Sequence, residues 1–362
     1  MMADEQILVI RLSALGDVLF TLPAVHALRQ ARPGAAIDWL VEDRAASLLD
    51  LYPGIRRRIV WRRSDLARGA RSPLRWPGSA LALARHLAAI RETRYDCVLD
   101  FQGNLKSGAH ALFARGRRRI GFDRRASREG SWLLRRERVA APAGALHRID
   151  QSLALVRALE PAIGADASRP PLVVPEASLR FAERALQDTG IGEAPFLVLH
   201  PGTSKFGAFK RWPPERFGRT AELLCGRSGL RALVTFGPGE EALAREVVAG
   251  ARPGTCVLSP STRSLADLAA LLQRARLVIG SDTAALHLAA FLGTPIVALY
   301  GPKDPRLYGP RFAPMRIVHT WLPCSPCTRR TCPDVLCMEE ISIHQVCVAA
   351  SELLEETARG QA

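Results

Sequence analysis

The fold is decided by residues 6–41, which read QILVIRLSALGDVLFTLPAVHALRQARPGAAIDWLV. Gln6–Ile10 is a short apolar run rich in β-branched residues, and a polar, glycine-containing turn follows it at residues 11–17. Apolar residues then recur at helical spacing over residues 18–28, and residues 37–41 form a second apolar run. The order strand, turn, helix, strand is typical of a parallel α/β domain.

The first domain continues to about residue 170, and the same α/β pattern returns after a break in the middle of the chain. Residues 97–100 predict another strand and residues 105–113 a helix, whereas the Arg-rich stretches 56–76 and 115–138 are weakly periodic and are interpreted as loops or insertions. The Pro-rich segment 169–175 predicts a linker. Beyond it, strands are predicted at residues 196–200, 232–236, 277–280 and 295–300, and a helix at 214–226. A chain of 362 residues is long enough for two such α/β domains, with a ligand cleft between them.

Composition and patterning exclude several classes of protein. A hydrophobic fraction of 48% with 23% charged residues excludes wholesale disorder. The longest uncharged run, residues 283–302, is interrupted by Gly293, Thr294 and Pro295, which favours helix, turn and strand over a membrane span. Asp4 and Glu5 stand where a signal peptide carries positive charge, so we expect a cytoplasmic protein.

The charge of the chain is concentrated in one stretch. The chain has 50 Lys and Arg residues against 35 Asp and Glu residues, a net charge of +15. Residues 51–150 contain 23 of the basic and eight of the acidic residues, which accounts for the whole excess. Such a one-sided field favours nucleic acid, an anionic membrane surface or a phosphorylated substrate as partner. The alternative, Arg-rich genomic composition with solvated arginines, would spread the excess evenly.

Polar residues follow the predicted strands, where parallel α/β domains bind their ligands. Asp17 opens the helix after the first strand, although a helix dipole also favours a carboxylate there. This loop does not contain Gly-x-Gly-x-x-Gly, so dinucleotide binding is unsupported. Thr203 and Ser204 lie in a loop of small residues that leads to the cation Lys210, which suits a diphosphate as well as a solvated surface turn.

Two further loops of the second half carry weaker signals. Glu240 follows a glycine turn, where an acidic side chain can hold a ribose diol or simply start a helix. Asp282 and Thr283 precede a helix that contains His287, and either of the first two residues is also a plausible N-cap.

The order and spacing of these motifs resemble the heptosyltransferases of lipopolysaccharide inner-core assembly, glycosyltransferase family 9. The motifs are RLSALGDVLFTLP at 11–23, DFQGNLKS at 100–107, HPGT at 200–203, KRWP at 210–213, PGEE at 238–241 and SDTAALHLAAFLGTP at 281–295. The resemblance covers nearly the whole chain, and it implies an α/β GT-B fold with two Rossmann-like parallel-sheet domains facing each other across a cleft.

The resemblance also implies roles for the domains and the residues. Residues 1–170 would bind the acceptor, residues 171–345 would bind the nucleotide sugar, and residues 346–362 would form a helix packing back on the first domain. The implied reaction is an inverting transfer of heptose from ADP-heptose to lipid A–Kdo that requires no metal or cofactor. Asp17 is then the general base, Lys210 the cation on the donor phosphates and Glu240 the ribose contact. The remaining implied contacts are Thr203, Ser204, Asp282, Thr283 and His287 for the donor, and Arg62, Arg63 and Lys106 for the acceptor.

One position departs from the family pattern. Family members commonly have Gly after the Asp-Thr pair, whereas this chain has Ala284. A positive φ at that position would strain alanine by about 1 kcal/mol, so we expect weaker or shifted donor binding.

An anionic lipid acceptor would explain the excess positive charge of residues 51–150. These residues would bind the inner face of the cytoplasmic membrane, and no nucleic acid partner is expected. This stretch combines cations with interfacial aromatics, a combination suited to an anionic bilayer surface. These residues are Arg56, Arg57, Arg58, Trp61, Arg62, Arg63, Arg75 and Trp76, followed by Trp132, Arg135 and Arg136. We therefore predict peripheral membrane association. The alternatives are a family 9 enzyme with another sugar or acceptor, and a non-catalytic Arg-rich protein that binds polyanions.

The cysteines are clustered near the C-terminus. Cys97, Cys225 and Cys256 have apolar neighbours and are interpreted as core residues. The spacing of Cys324, Cys327, Cys332 and Cys337 fits a tetrathiolate zinc site. It fits structural thiols or a labile disulfide equally well.

Overall fold

The computed structural model describes residues 5–63, 76–142, 147–327, 329 and 331–360. The chain divides into two compact units, Met1–Val173 and Val174–Ala362. Each unit contains one six-stranded parallel sheet flanked by helices. Within these described ranges, no helix has the length and apolar character needed to cross a membrane.

The first unit has the doubly wound strand order β3-β2-β1-β4-β5-β6. This order places the carboxyl ends of β1 and β4 side by side at the centre of the sheet. The strands are β1 (Gln6–Ile10), β2 (Ala36–Glu42), β3 (Arg57–Trp61), β4 (Arg94–Asp100), β5 (Arg115–Phe122) and β6 (Glu137–Val139). The α-helices are α1 (Leu15–Ala31), α2 (Asp43–Ala46), α3 (Trp76–Arg91), α4 (Leu105–Phe113) and α5 (Arg148–Arg157). Two 3₁₀ helices, Ser47–Leu51 and Ser131–Leu134, lie in the connections.

The second unit repeats this winding with the order β12-β11-β10-β7-β8-β9. The strands are β7 (Phe196–His200), β8 (Arg231–Val234), β9 (Cys256–Leu258), β10 (Leu277–Ser281), β11 (Ile296–Tyr300) and β12 (Met315–His319). The helices are α6 (Glu176–Asp188), α7 (Pro214–Ser228), α8 (Glu241–Ala249), α9 (Leu265–Arg274), α10 (Ala284–Leu292), α11 (Pro305–Tyr308), α12 (Leu336–Glu339) and α13 (Ile343–Arg359), with a 3₁₀ helix at Lys205–Lys210. Two Rossmann-like sheets are thus present, which confirms the predicted fold class.

The central strands form because their apolar runs are long enough to be covered on both faces. Every residue of β7, β10 and β11 is buried. Parallel strands buried on both faces are continuous apolar segments rather than alternating ones. For this reason, strands predicted from uninterrupted apolar runs were located correctly.

The interpretation of residues 56–76 and 115–138 as loops is wrong for three strands. β3 and β5 contain several arginines, and their half-exposed sides interrupt the apolar pattern. The short edge strand β6 is paired to β5 in part by Arg118 and Glu137, whose Nη2 and Oε2 atoms lie 2.6 Å apart. These strands are stabilised in part by cross-strand ion pairs, so they lack the apolar pattern from which strands are predicted. Residues 64–75 lie outside the described residues.

The C-terminal helix α13 packs within the second unit. It contacts α7 and β12, and it buries Val346, Ala350 and Leu353 in the core of that unit. The expected packing of residues 346–362 on the first domain gains no support from these contacts.

Candidate active site

Asp17 lies in the first turn of α1, immediately after β1. Its Oδ2 accepts the backbone N–H of Ala14 at 3.2 Å, and its Oδ1 lies 2.9 Å from Arg11 Nη2. The side chain is 32% exposed, so the carboxylate is held in place and still reached by solvent. An ionised carboxylate has about four acceptor positions, which leaves capacity for an incoming hydroxyl group.

The loop after β4 supports the Asp17 loop. Gln102 Oε1 accepts the backbone N–H groups of Leu12 and Ser13 at 3.1 and 3.3 Å. The N–H of Gln102 itself is held by the buried Asp100 carboxylate at 2.9 Å. Gln102 is a supporting residue that sequence reasoning missed, although it lies within the quoted DFQG motif.

Arg135 is a structural residue and not part of a membrane surface. Its guanidinium is fully buried and lies 2.5 Å from Asp100 Oδ2. It also donates to Phe122 O and Ser127 Oγ at 3.1 and 2.9 Å. A buried arginine with a carboxylate partner is unavailable to lipid. The prediction that placed Arg135 at an interface is therefore wrong.

Other basic residues of this stretch are also used inside the fold. Arg56 and Arg57 pair with the fully buried Asp38, at 2.8 and 3.2 Å. Trp61 packs against His86 and His110, with ring centroids 6.0 and 4.6 Å from its own. Part of the positive charge therefore compensates an internal carboxylate, and the Trp61 ring packs against histidines of α3 and α4. Arg75 and the side chain of Trp76 lie outside the described residues.

Two of the three predicted acceptor residues meet at one carboxylate. Lys106 Nζ and Arg63 Nη1 lie 2.5 and 4.0 Å from Glu42 Oε1, at the carboxyl end of β2. The Lys106 ammonium also lies 4.9 Å from the centre of the Trp61 ring. Arg62 and Arg63 are exposed. The structure thus places exposed cations and an anchored lysine on one side of the first sheet, where an anionic ligand would be attracted.

The second unit brings Lys210, Asp282 and His287 into one network. Lys210 Nζ lies 2.9 Å from Asp282 Oδ2 and donates to the Asp282 carbonyl oxygen at 2.6 Å. His287 Nε2 lies 3.2 Å from Asp282 Oδ1, and the Tyr300 hydroxyl lies 3.4 Å from the same atom. Tyr300 is a second residue that sequence reasoning missed, because its polar tip ends an apolar strand.

The electrostatics of this network keep Asp282 ionised. Burial opposes the charged form, but the hydrogen bond with His287 and the positive charge of Lys210 outweigh it. The pKa of Asp282 consequently lies well below its usual range. Lys210 is therefore paired with a negatively charged carboxylate, and its side chain is 19% exposed.

Residues of two neighbouring loops contact the carboxylate of Glu240. Its Oε2 accepts the Gly237 N–H at 3.2 Å, and its Oε1 lies 3.2 Å from Arg211 Nη2. Arg211 also donates to the carbonyl and hydroxyl oxygens of Thr203, at 3.0 and 3.2 Å. Thr203 is buried, whereas Ser204 is exposed at the start of the Lys205–Lys210 helix. Arg211 was not among the predicted site residues, although it stands beside Lys210 in the KRWP motif.

Ala284 is not strained. It is the first residue of α10, with Thr283 as the N-cap at φ −147°. Among described residues other than glycine, positive φ occurs at Glu129 and Phe312 and not at Ala284. The concern that alanine distorts this loop is therefore removed.

The four clustered cysteines line one small cavity. Cys324, Cys327, Cys332 and Cys337 all face a cavity of about 70 Å³. Burial, reinforced by the neighbouring thiols, raises the pKa of Cys337. In the described part of the chain, no three His, Cys, Asp or Glu side chains are arranged to hold a metal ion. Zinc at these cysteines stays a prediction.

Comparison with known proteins gives a consistent picture. The family model described as glycosyltransferase family 9 (heptosyltransferase) matches residues 83–336. The chain is 29% identical to lipopolysaccharide heptosyltransferase 1 of Pseudomonas aeruginosa, over 90% of this chain and 87% of that protein. A family 9 glycosyl transferase from Veillonella parvula has a similar structure, with a TM-score of 0.78 at 23% identity, covering 98% of this chain and 99% of that one. E. coli heptosyltransferase WaaC with ADP has a TM-score of 0.74 at 24% identity, covering 96% and 99%.

Proposed function

Because the chain belongs to glycosyltransferase family 9, we propose that it transfers heptose from ADP-heptose to the lipid A–Kdo inner core of lipopolysaccharide. The observation that carries this proposal is the ion pair of Lys210 with Asp282, together with Glu240, which pairs with the adjacent Arg211. These residues follow β7, β10 and β8, which are neighbours in the second sheet. A cation beside small residues suits a diphosphate, and a carboxylate one strand away suits a ribose diol. The relatives from Pseudomonas aeruginosa and E. coli named above are themselves heptosyltransferases.

The proposed reaction is a single displacement with inversion. Asp17 takes the proton of an acceptor hydroxyl group as its oxygen forms a bond to the anomeric carbon of the heptose. The bond from that carbon to the diphosphate breaks at the same time, and ADP leaves with the electron pair. Lys210 stabilises the negative charge that develops on the diphosphate. One carboxylate and one cation are sufficient for this chemistry, so the proposed mechanism requires no metal ion.

The donor assignment is tested by thermal shift in the presence of ADP-, GDP- and UDP-sugars. We expect ADP-heptose to raise the melting temperature, since a ligand at 100 times its Kd stabilises a protein by about 2.7 kcal/mol. ADP-glucose serves as the control for the sugar. Stabilisation by a GDP- or UDP-sugar without an effect of ADP-heptose would assign the enzyme to another donor. The absence of any nucleotide effect would favour the non-catalytic polyanion-binding alternative.

Attachment to the inner face of the cytoplasmic membrane is part of this proposal, and the exposed side chains of α3 support it. Leu81 and Leu83 of this helix are 51% and 43% exposed. Arg85 is exposed near them, and both charged residues of α3, Arg85 and Arg91, are basic. Exposed leucines on a helix whose charged residues are both basic fit the interface of an anionic bilayer.

Replacing both Leu81 and Leu83 by Ser is expected to weaken binding to anionic vesicles by about tenfold or more, because each buried leucine contributes roughly 1.5–3 kcal/mol. Co-sedimentation with phosphatidylglycerol-containing vesicles and with neutral phosphatidylcholine vesicles measures this effect. Leu223→Ser is the control, since Leu223 is 41% exposed on α7 of the second unit. Equal binding to neutral and anionic vesicles would contradict the membrane proposal, as would a double variant that binds normally.

A further inference from the structure

The neighbouring cations Lys210 and Arg211 are directed to different carboxylates. Lys210 pairs with Asp282, whereas Arg211 pairs with Glu240. Lys210 ends the 3₁₀ helix Lys205–Lys210, and Arg211 is the extended residue that follows it. The proposed reaction needs one cation at the donor diphosphate, which is Lys210, and it assigns no role to Arg211.

Arg211 connects the loop after β7 to the loop after β8. Its guanidinium makes two hydrogen bonds to Thr203 and lies 3.2 Å from Glu240 Oε1. A guanidinium is planar and presents its donors at fixed angles, so anchoring on Thr203 also fixes the direction toward Glu240. Lysine could not reproduce this geometry, because its ammonium is a point charge on a flexible stem.

Two glycines make room for the Glu240 carboxylate. A Cβ atom at Gly202 would lie 2.1 Å from Glu240 Oε2, and one at Gly237 would lie 2.9 Å from the same atom. Both positions therefore have to lack a side chain if the carboxylate is to stay where it is. The Glu240 side chain is only 12% exposed, so the loops hold it on several sides.

The carboxylate of Glu240 keeps acceptor capacity for a ligand. Arg211 uses one position on Oε1, and the Gly237 N–H uses one on Oε2. Since a carboxylate has about four acceptor positions, about two remain, one on each oxygen. Two adjacent hydroxyl groups, the 2′- and 3′-hydroxyls of a ribose, match a pair of free positions on one carboxylate.

We propose that Arg211 is a positioning residue that orients the Glu240 carboxylate toward the ribose diol of the donor, and so sets the preference for ribonucleotide over deoxyribonucleotide donors. This inference rests on the proposed function, because it presupposes a nucleotide sugar in the second unit. Arg211 acts through Glu240 rather than on the reacting atoms.

The test measures the Kd values of ADP, 2′-deoxy-ADP and 3′-deoxy-ADP by calorimetry. For the unmodified protein, ADP is expected to bind about tenfold or more tightly than either analogue, the effect of one hydrogen bond to a charged group. Arg211→Ala and Arg211→Lys are expected to weaken ADP binding while leaving both analogues within about twofold, which reduces the preference to about threefold or less. Arg245→Ala is the control, since Arg245 pairs with the adjacent Glu241 on the surface.

Glu240→Gln and the double variant complete a cycle. If Arg211 acts through Glu240, the double variant Arg211→Ala/Glu240→Gln loses no more preference than Glu240→Gln alone. An equal loss of affinity for ADP and both analogues in Arg211→Ala would overturn the inference, because it would place Arg211 on the phosphates or in folding. An unchanged preference would overturn it as well. If the unmodified protein binds ADP and Arg211→Ala shows an equal loss of affinity or an unchanged preference, only this inference fails. If the unmodified protein binds no ADP, the proposed function fails as well.

Discussion

Replacing Asp17 by Asn is expected to lower kcat for heptose transfer by about 1000-fold, within the range that general-base catalysis contributes. The asparagine oxygen can still accept the Ala14 N–H that Asp17 accepts at 3.2 Å, so the start of α1 is retained. What is lost is the ability to take a proton from the acceptor hydroxyl group. The measurement is steady-state transfer from ADP-heptose to a lipid A–Kdo acceptor, with released ADP as the readout.

Asp150 provides a matched control for this substitution. It occupies the corresponding position in the first turn of α5 in the same unit. Asp150→Asn is expected to keep full activity, since its carboxylate has no part in the proposed reaction. An Asp17→Asn enzyme with near-normal kcat would show that the carboxylate only stabilises the helix start, the alternative that the sequence left open.

Replacing Lys210 by Met is expected to raise the donor Kd by about 100-fold, because removing one partner of a hydrogen-bonded charge pair costs 2–5 kcal/mol. The substitution removes the cation proposed for the diphosphate and leaves Asp282 as a negative charge facing an anionic ligand. Calorimetric titration with ADP measures the change. Both effects act in the same direction, so the loss should exceed that of a single hydrogen bond.

The control for charge loss is Arg219→Met. Arg219 is 57% exposed on α7 and pairs with Glu222, one turn away on the same helix. This variant should bind ADP normally, because exposed ion pairs contribute little. If Lys210→Met bound ADP as tightly as the unmodified protein, the lysine would be a structural partner of Asp282 and the donor site would lie elsewhere.

The sequence was sufficient for the features that depend on local composition. The buried strands β7, β10 and β11 consist of continuous apolar runs up to their last residues, so their positions could be read directly. Loop residues such as Asp17 and Glu240 follow strands, and the rule that ligands bind at carboxyl ends directs attention to them.

Features that depend on distant partners could not be read in this way. In the sequence, Arg135 cannot be distinguished from a surface arginine. In the structure it is buried and paired with Asp100, which lies 35 positions earlier in the chain. Arg56 and Arg57 likewise have the sequence pattern of surface charge, although both pair with the buried Asp38, which neutralises part of their charge. An ion pair made across a sheet leaves no periodic trace in the chain, so charge runs alone overestimate the free positive surface.

The separation of proton removal from donor binding is tested most directly by measuring kcat and donor Kd side by side for Asp17→Asn and Lys210→Met. The proposed mechanism predicts different patterns of donor affinity: the first variant loses transfer and keeps its affinity for ADP within about twofold, and the second loses affinity for ADP by about 100-fold. Full transfer activity in Asp17→Asn, or a loss of ADP affinity in that variant equal to the loss in Lys210→Met, would contradict it.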